Sequence, residues 1–188
     1  AALDPSRHEV RARFRITGYP HERWWLHDQL EILDCRVDGQ PAVARRYWEG
    51  PAAPFSPRVH QVDVAQGGAI LELEVVGVIP DMEAGVNCLA PELTELAVYA
   101  GWHPIFVSFP PFEFTLDLRI AGDGPVAVNA IRREDAVDGR SRWHSVSSSV
   151  IDIAVVTSPA FEEIRHDRLP VRALATVASG QAAADLVR

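Results

Sequence analysis

The sequence holds only two cysteines and one methionine in 188 residues. Cys35 and Cys88 are too few for a disulfide framework and lack the paired spacing of a metal site. Each is read as a small half-buried thiol, and a single bond between them stays open. No apolar run approaches the roughly 20 residues of a membrane span. No basic region followed by an apolar core opens the chain, so no secretory leader is visible; the compartment stays open, with the cytoplasm slightly favoured. Positive charge is in deficit, 18 Lys and Arg against 26 Asp and Glu, for a net charge of −8. That balance excludes nucleic acid and anionic membrane as natural partners. Internal repeats, low-complexity tracts and helical periodicity are missing as well.

What is present is a period of two. Val10, Ala12, Phe14 and Ile16 alternate with Glu9, Arg11, Arg13 and Arg15, the mark of a strand with one wet face. Residues 29–37 repeat the pattern and run into Asp38-Gly39, a strong tight-turn signal. Residues 50–57 hold three prolines and read as a loop. Val59 to Val64 and Ala69 to Val78 read as a pair of strands joined at Gly67-Gly68, and residues 80–94 as a loop or short helix. From Phe112 to Ile120 every second residue is a large apolar one. Asp138-Gly139 is another turn, and the phase slips at Val150-Ile151, where a bulge is expected. Phe161 to Ile164 and Val171 to Val177 complete the β-rich part. The reading is an all-β sandwich or barrel of mostly antiparallel strands. Residues 1–178 form one domain, and 179–188, with Ser179 as N-cap, start a linker or helix toward a further domain.

Catalytic signatures are absent. His21-Glu22 begins the HExxH pattern of zinc peptidases, but Trp25 stands where the second histidine belongs. His8, His60, His103, His144 and His166 are scattered and read as structural or surface residues. No G-x-S-x-G elbow frames Ser147, Ser148 or Ser149, and neither a Walker loop nor a G-x-G-x-x-G is present. Trp24, Trp25, Trp48, Trp102 and Trp143 invite a carbohydrate-stacking reading, against which stands their ordinary use as core fillers.

One stretch carries more than composition. Tyr99-Ala100-Gly101-Trp102-His103-Pro104-Ile105-Phe106 runs through Pro110-Pro111 into the strand Phe112 to Leu118. It resembles the aromatic-x-Pro segment and following strand near the end of the N-terminal domain in aminopeptidase N-like zinc peptidases. Relatives there read W-Y-P or F-P-C-x-D-E-P, then F-x-L-x-I. The run Asp152 to Phe161 is similar to the end of that domain, and the early strand with its Asp38-Gly39 turn also fits. The F-P-C-x-D-E-P form is not present; Trp102-His103-Pro104 stands in its place, as in a divergent, bacterial-type branch.

The resemblance implies a saddle-shaped β-sandwich packed on a catalytic domain of the same polypeptide, with the zinc and its ligands beyond Arg188 and no cofactor in this chain. It implies a peptide as the substrate whose cleft this domain shapes. In the family a Gln or Glu nine residues before the motif proline helps bind the substrate's free amino group, and counting back from Pro104 reaches Glu95. A carboxylate suits that task, because a charged hydrogen bond to an ammonium is strong and directional. The rival is a free-standing sandwich module that binds carbohydrate or protein, with Glu95 an ordinary solvated acid.

Overall fold

The structure is a computed structural model that describes residues 1–19, 22–47, 59–64, 68–79, 88–122, 124–135, 141–145, 150–165 and 172–176. Strands are numbered in chain order. The largest sheet has eight, in the order β14 (Ile131–Asp135), β15 (Ser141–His144), β12 (Glu113–Ile120), β1 (Ala2–Asp4), β2 (Glu9–Thr17), β8 (Ile70–Val78), β4 (Leu30–Val37) and β5 (Gln40–Pro41). A four-stranded sheet runs β13 (Val126–Val128), β16 (Val155–Thr157), β10 (Thr94–Leu96), β9 (Cys88–Leu89). A second runs β11 (Ile105–Phe106), β3 (Trp24–His27), β7 (Val59–Val64), β6 (Ala44–Tyr47), and β17 (Phe161–Arg165) pairs with β18 (Arg172–Thr176). The fold is all-β and mostly antiparallel; among the described residues the one helical element is a single 3-10 turn at Val98–Ala100.

The alternation read in the sequence decides which face of the large sheet is buried. Val10, Ala12, Phe14 and Ile16 of β2 are buried, as are Leu71, Leu73 and Val75 of β8 and Phe114, Leu116 and Leu118 of β12. They join Trp24, Leu26, Leu89, Leu96 and Val155 from the smaller sheets, and Trp102 from the segment before β11, in one core. Each large apolar side chain buried this way contributes about 1.5–3 kcal/mol, so the core rests on its broad face rather than on any one contact.

The opposite face of the large sheet is charged and self-compensated. All 18 basic residues of the chain are arginines. Arg13 lies opposite Glu74 and bonds it at 2.8 Å, Arg11 reaches the same carboxylate at 2.8 Å, and Arg142 grips Asp117 across β12 and β15 at 2.5 Å. Cross-strand pairs of opposite charge fix register more than they add stability.

The Asp38-Gly39 turn behaves as the sequence implies. Asp38 and Gly39 both take positive φ, 49° and 76°, and link β4 to β5. The Asp38 carboxylate then accepts the backbone N–H groups of Ala69 and Ile70 at 3.1 and 2.9 Å, tying that turn to the start of β8. Two expectations shift. Val59 to Val64 and the strand beginning near Ala69 do not pair: β7 joins β3 and β6, while β8 lies between β2 and β4. The segment after Val150 makes a single bridge to Phe112 and then runs irregularly to β16, because side chains rather than a strand satisfy its backbone. Gly67, Pro80 to Asn87, Trp48, the Asp138-Gly139 turn, Ser147 to Ser149, His166 and the expected helix at 179–188 lie outside the described residues.

Candidate functional site

Glu95 is the middle residue of β10. Its neighbours Thr94 and Leu96 are buried, so alternation turns Glu95 to the outer face of the four-stranded sheet, where it is half-buried. Directly across lie Cys88 on β9 and Val156 on β16, with Ala127 of β13 beyond. The row Cys88–Glu95–Val156–Ala127 is thus an apolar strip carrying one acid. Among the described residues the Glu95 side chain makes no hydrogen bond or ion pair. A carboxylate placed so has its oxygens available to a cation, and the apolar strip around it would favour a partner that brings both a charge and an apolar body.

Two residues downstream of β10 the chain makes its 3-10 turn, closes it with Gly101 in the left-handed region (φ 60°), and enters Trp102-His103-Pro104. Trp102 and His103 are fully buried. Trp102 stacks edge-on against Phe14 at 5.5 Å and donates its Nε1–H to the Ile153 carbonyl at 2.9 Å. His103 has the Pro104 carbonyl 2.9 Å from Nδ1 and Asp152 Oδ1 2.7 Å from Nε2. The Ile153 N–H also approaches His103 Nε2, at 3.2 Å. Burial pushes the Asp152 carboxyl up, but the His103 hydrogen bond and charge, with the backbone N–H groups of Val98 and Ile153, outweigh it and hold the group below its ordinary range. Asn129 completes the clasp, donating to the Asp152 carbonyl and accepting from the Ala154 N–H, both at 2.8 Å. These bonds explain why residues 151–154 need no strand partner. Asp152 was not singled out from the sequence. Its signal was an acid inside the apolar run Val150 to Val156, which burial obliges to find a partner.

The remaining candidates divide. Trp24, Trp102 and Trp143 are fully buried and cannot stack on a sugar, and Trp25 is half-buried in β3. His27 is buried and His144 shares a hydrogen bond with Thr115 at 2.9 Å. Cys35 and Cys88 are not joined in a disulfide. Burial lifts the Cys35 thiol to about 11, an inert group, and Cys88 Sγ donates to the Leu93 carbonyl at 3.1 Å. Among the described residues no three His, Cys, Asp or Glu side chains are grouped to hold a metal, so they do not fit a catalytic zinc. No helix among them is long and apolar enough to cross a membrane. A concavity of about 580 Å³ lies on the charged face of the large sheet, but Arg13 is already paired with Glu74, Arg142 with Asp117 and Arg36 with Asp34.

No protein-family model matches this sequence, and none of the curated proteins matches it. Solved structures do. An aminopeptidase N family protein from Idiomarina loihiensis aligns over 99% of this chain and 34% of its own, with TM-score 0.60 and 11% identity. Native leukotriene A4 hydrolase from Saccharomyces cerevisiae aligns over 95% of this chain and 31% of its own, with TM-score 0.53 and 13% identity. An M1 zinc metallopeptidase mutant from Deinococcus radiodurans, solved with a Tyr-Ser-Ala substrate, aligns over 97% and 49%, with TM-score 0.55 and 12% identity. The chain therefore spans between about a third and a half of the length of the structures it matches, and what it shares with them at this identity is the fold.

Proposed function

We propose that this chain is the non-catalytic N-terminal domain of a zinc aminopeptidase-like polypeptide, and that it forms one wall of the substrate cleft. The observation that carries the reading is the pairing of near-complete coverage with partial length: 99% of this chain aligns on 34% of the Idiomarina structure. The half-buried Glu95 on its apolar strip is the amine anchor of this reading, a single carboxylate for the ammonium of a peptide's free end. Burial of three tryptophans argues against the sugar-binding alternative. The downstream gene sequence tests the proposal: HExxH followed some twenty residues later by Glu supports it. A stop codon soon after Arg188, or a downstream region without zinc ligands, overturns it.

A further inference from the structure

The ladder that carries Glu95 is short. β10 and β16 share three residue pairs, Thr94 with Thr157, Glu95 with Val156 and Leu96 with Val155. β9 adds two residues on one side and β13 three on the other. Pairings of that length are marginal by themselves. Here side chains fasten both ends of the β10–β16 pair. At the end beyond Leu96, Asp152 stands three residues ahead of β16. Its carboxylate takes the N–H of Val98, which lies two residues past β10, together with the His103 ring at 2.7 Å. At the end beyond Thr94, Ser158 follows directly on β16. Its hydroxyl donates to the Glu92 carbonyl at 2.6 Å, in the turn that joins β9 to β10, and accepts the Ala160 N–H at 3.1 Å. Gly124, just ahead of β13, closes against the Ser158 carbonyl, where an added Cβ would come within 2.5 Å. His103 and Ser158 are buried, and the Asp152 side chain is 22% exposed.

We infer that Asp152, His103 and Ser158 are positioning residues for Glu95, an inference that rests on the function proposed above. They act through the backbone. Glu95 is the central residue of β10, so a clamp beyond each end of the pair fixes both its height on the sheet and its offset from Val156. A charged hydrogen bond to an ammonium works over about 2.7–2.9 Å, and ~1 Å of misplacement in such a site can cost about 100-fold in rate. A carboxylate on a loose hairpin would miss that window for much of the time. Supporting hydrogen bonds that lock the element beneath a binding group are what such precision requires. An acid kept for solubility alone needs no such frame, and apolar contacts would close the same ends without the desolvation cost of buried polar groups.

Steady-state kinetics of the intact longer polypeptide on alanine para-nitroanilide test this, at temperatures well below each variant's unfolding midpoint. Ser158→Ala is expected to raise KM roughly 3–10-fold with kcat little changed. Asp152→Asn gives an independent reading from the other clamp, with the same direction expected. The deciding measurement repeats both substitutions in the Glu95→Ala background. No carboxylate is left there to place, so the KM ratio is expected to fall to about one. An equal ratio in both backgrounds overturns the inference in favour of a general structural role. An unchanged KM in both clamp variants, while Glu95→Ala raises it, also overturns the inference and leaves the anchor reading standing. If Glu95→Ala itself leaves KM unchanged, or the parent polypeptide does not cleave the substrate, the functional reading fails first, and this inference with it.

Discussion

His103 and Asp152 lie 49 residues apart in sequence and meet through one hydrogen bond, and neither can change alone. Replacing His103 with Leu leaves a largely buried carboxylate without its ring partner, a loss of about 3 kcal/mol, to be read as a lower denaturation midpoint in urea. The Asp152 carboxyl is held below its ordinary value of 3.8. Its contribution is therefore present above about pH 4 and is lost as pH falls through the lower folded value. The Asp152→Asn variant should be less stable at neutral pH, and its stability should fall less steeply below pH 4 than that of the parent. An equal acid slope in both proteins would remove this carboxylate from the acid-unfolding step. Glu95 has the opposite profile, since among the described residues its side chain makes no hydrogen bond or ion pair. In the longer polypeptide Glu95→Ala should lower kcat/KM for peptides with a free amino end by roughly 10–100-fold, the worth of one charged hydrogen bond, chiefly through KM. Its unfolding midpoint should stay within experimental error. Glu95 was reachable from the sequence only by counting from a motif; its orientation came from the burial of Thr94 and Leu96, which no count supplies.

At the scale of elements, long strands were legible and short ones were not. β2, β8 and β12 each carry enough alternating residues to declare a face. β9, β10 and β11, of two or three residues each, carry too few for any period to show, although β10 holds the candidate anchor. Pairing was also beyond the pattern: β7 and β8 are close in sequence yet belong to different sheets, because a strand's alternation says which face is wet and not which edge it joins. Gly77 makes the point for a single position within an element. It takes φ 159° on β8, where an added Cβ would run into the Gln29 carbonyl at the head of β4. Gly77→Ala should cost more than about 2 kcal/mol by forcing β4 and β8 apart, measured by thermal unfolding. A neutral Gly77→Ala would mean that β4 can shift without loss.

For the molecule as a whole, the sequence has no apolar run long enough for a membrane-spanning helix and too few cysteines for a disulfide framework, and among the described residues the structure adds one continuous core beneath a self-compensated charged face. Purified protein incubated with excess zinc and then desalted should retain well under one equivalent per chain, as read by elemental analysis; one tightly held equivalent would locate a site that the described residues do not provide. The path of β1 sets the order in which such a fold can be completed. Its three residues are wedged where β2 and β12 part, pairing antiparallel with Val10 and its neighbours and parallel with Arg119 and Ile120. During synthesis β1 and β2 leave the ribosome before the other strands of this sheet, and can form their hairpin at once. The other edge of β1 has no partner until more than a hundred further residues have been translated. The large sheet is therefore closed late and from its middle, and a nascent chain stalled before β12 would present an open strand edge to the cell's chaperones.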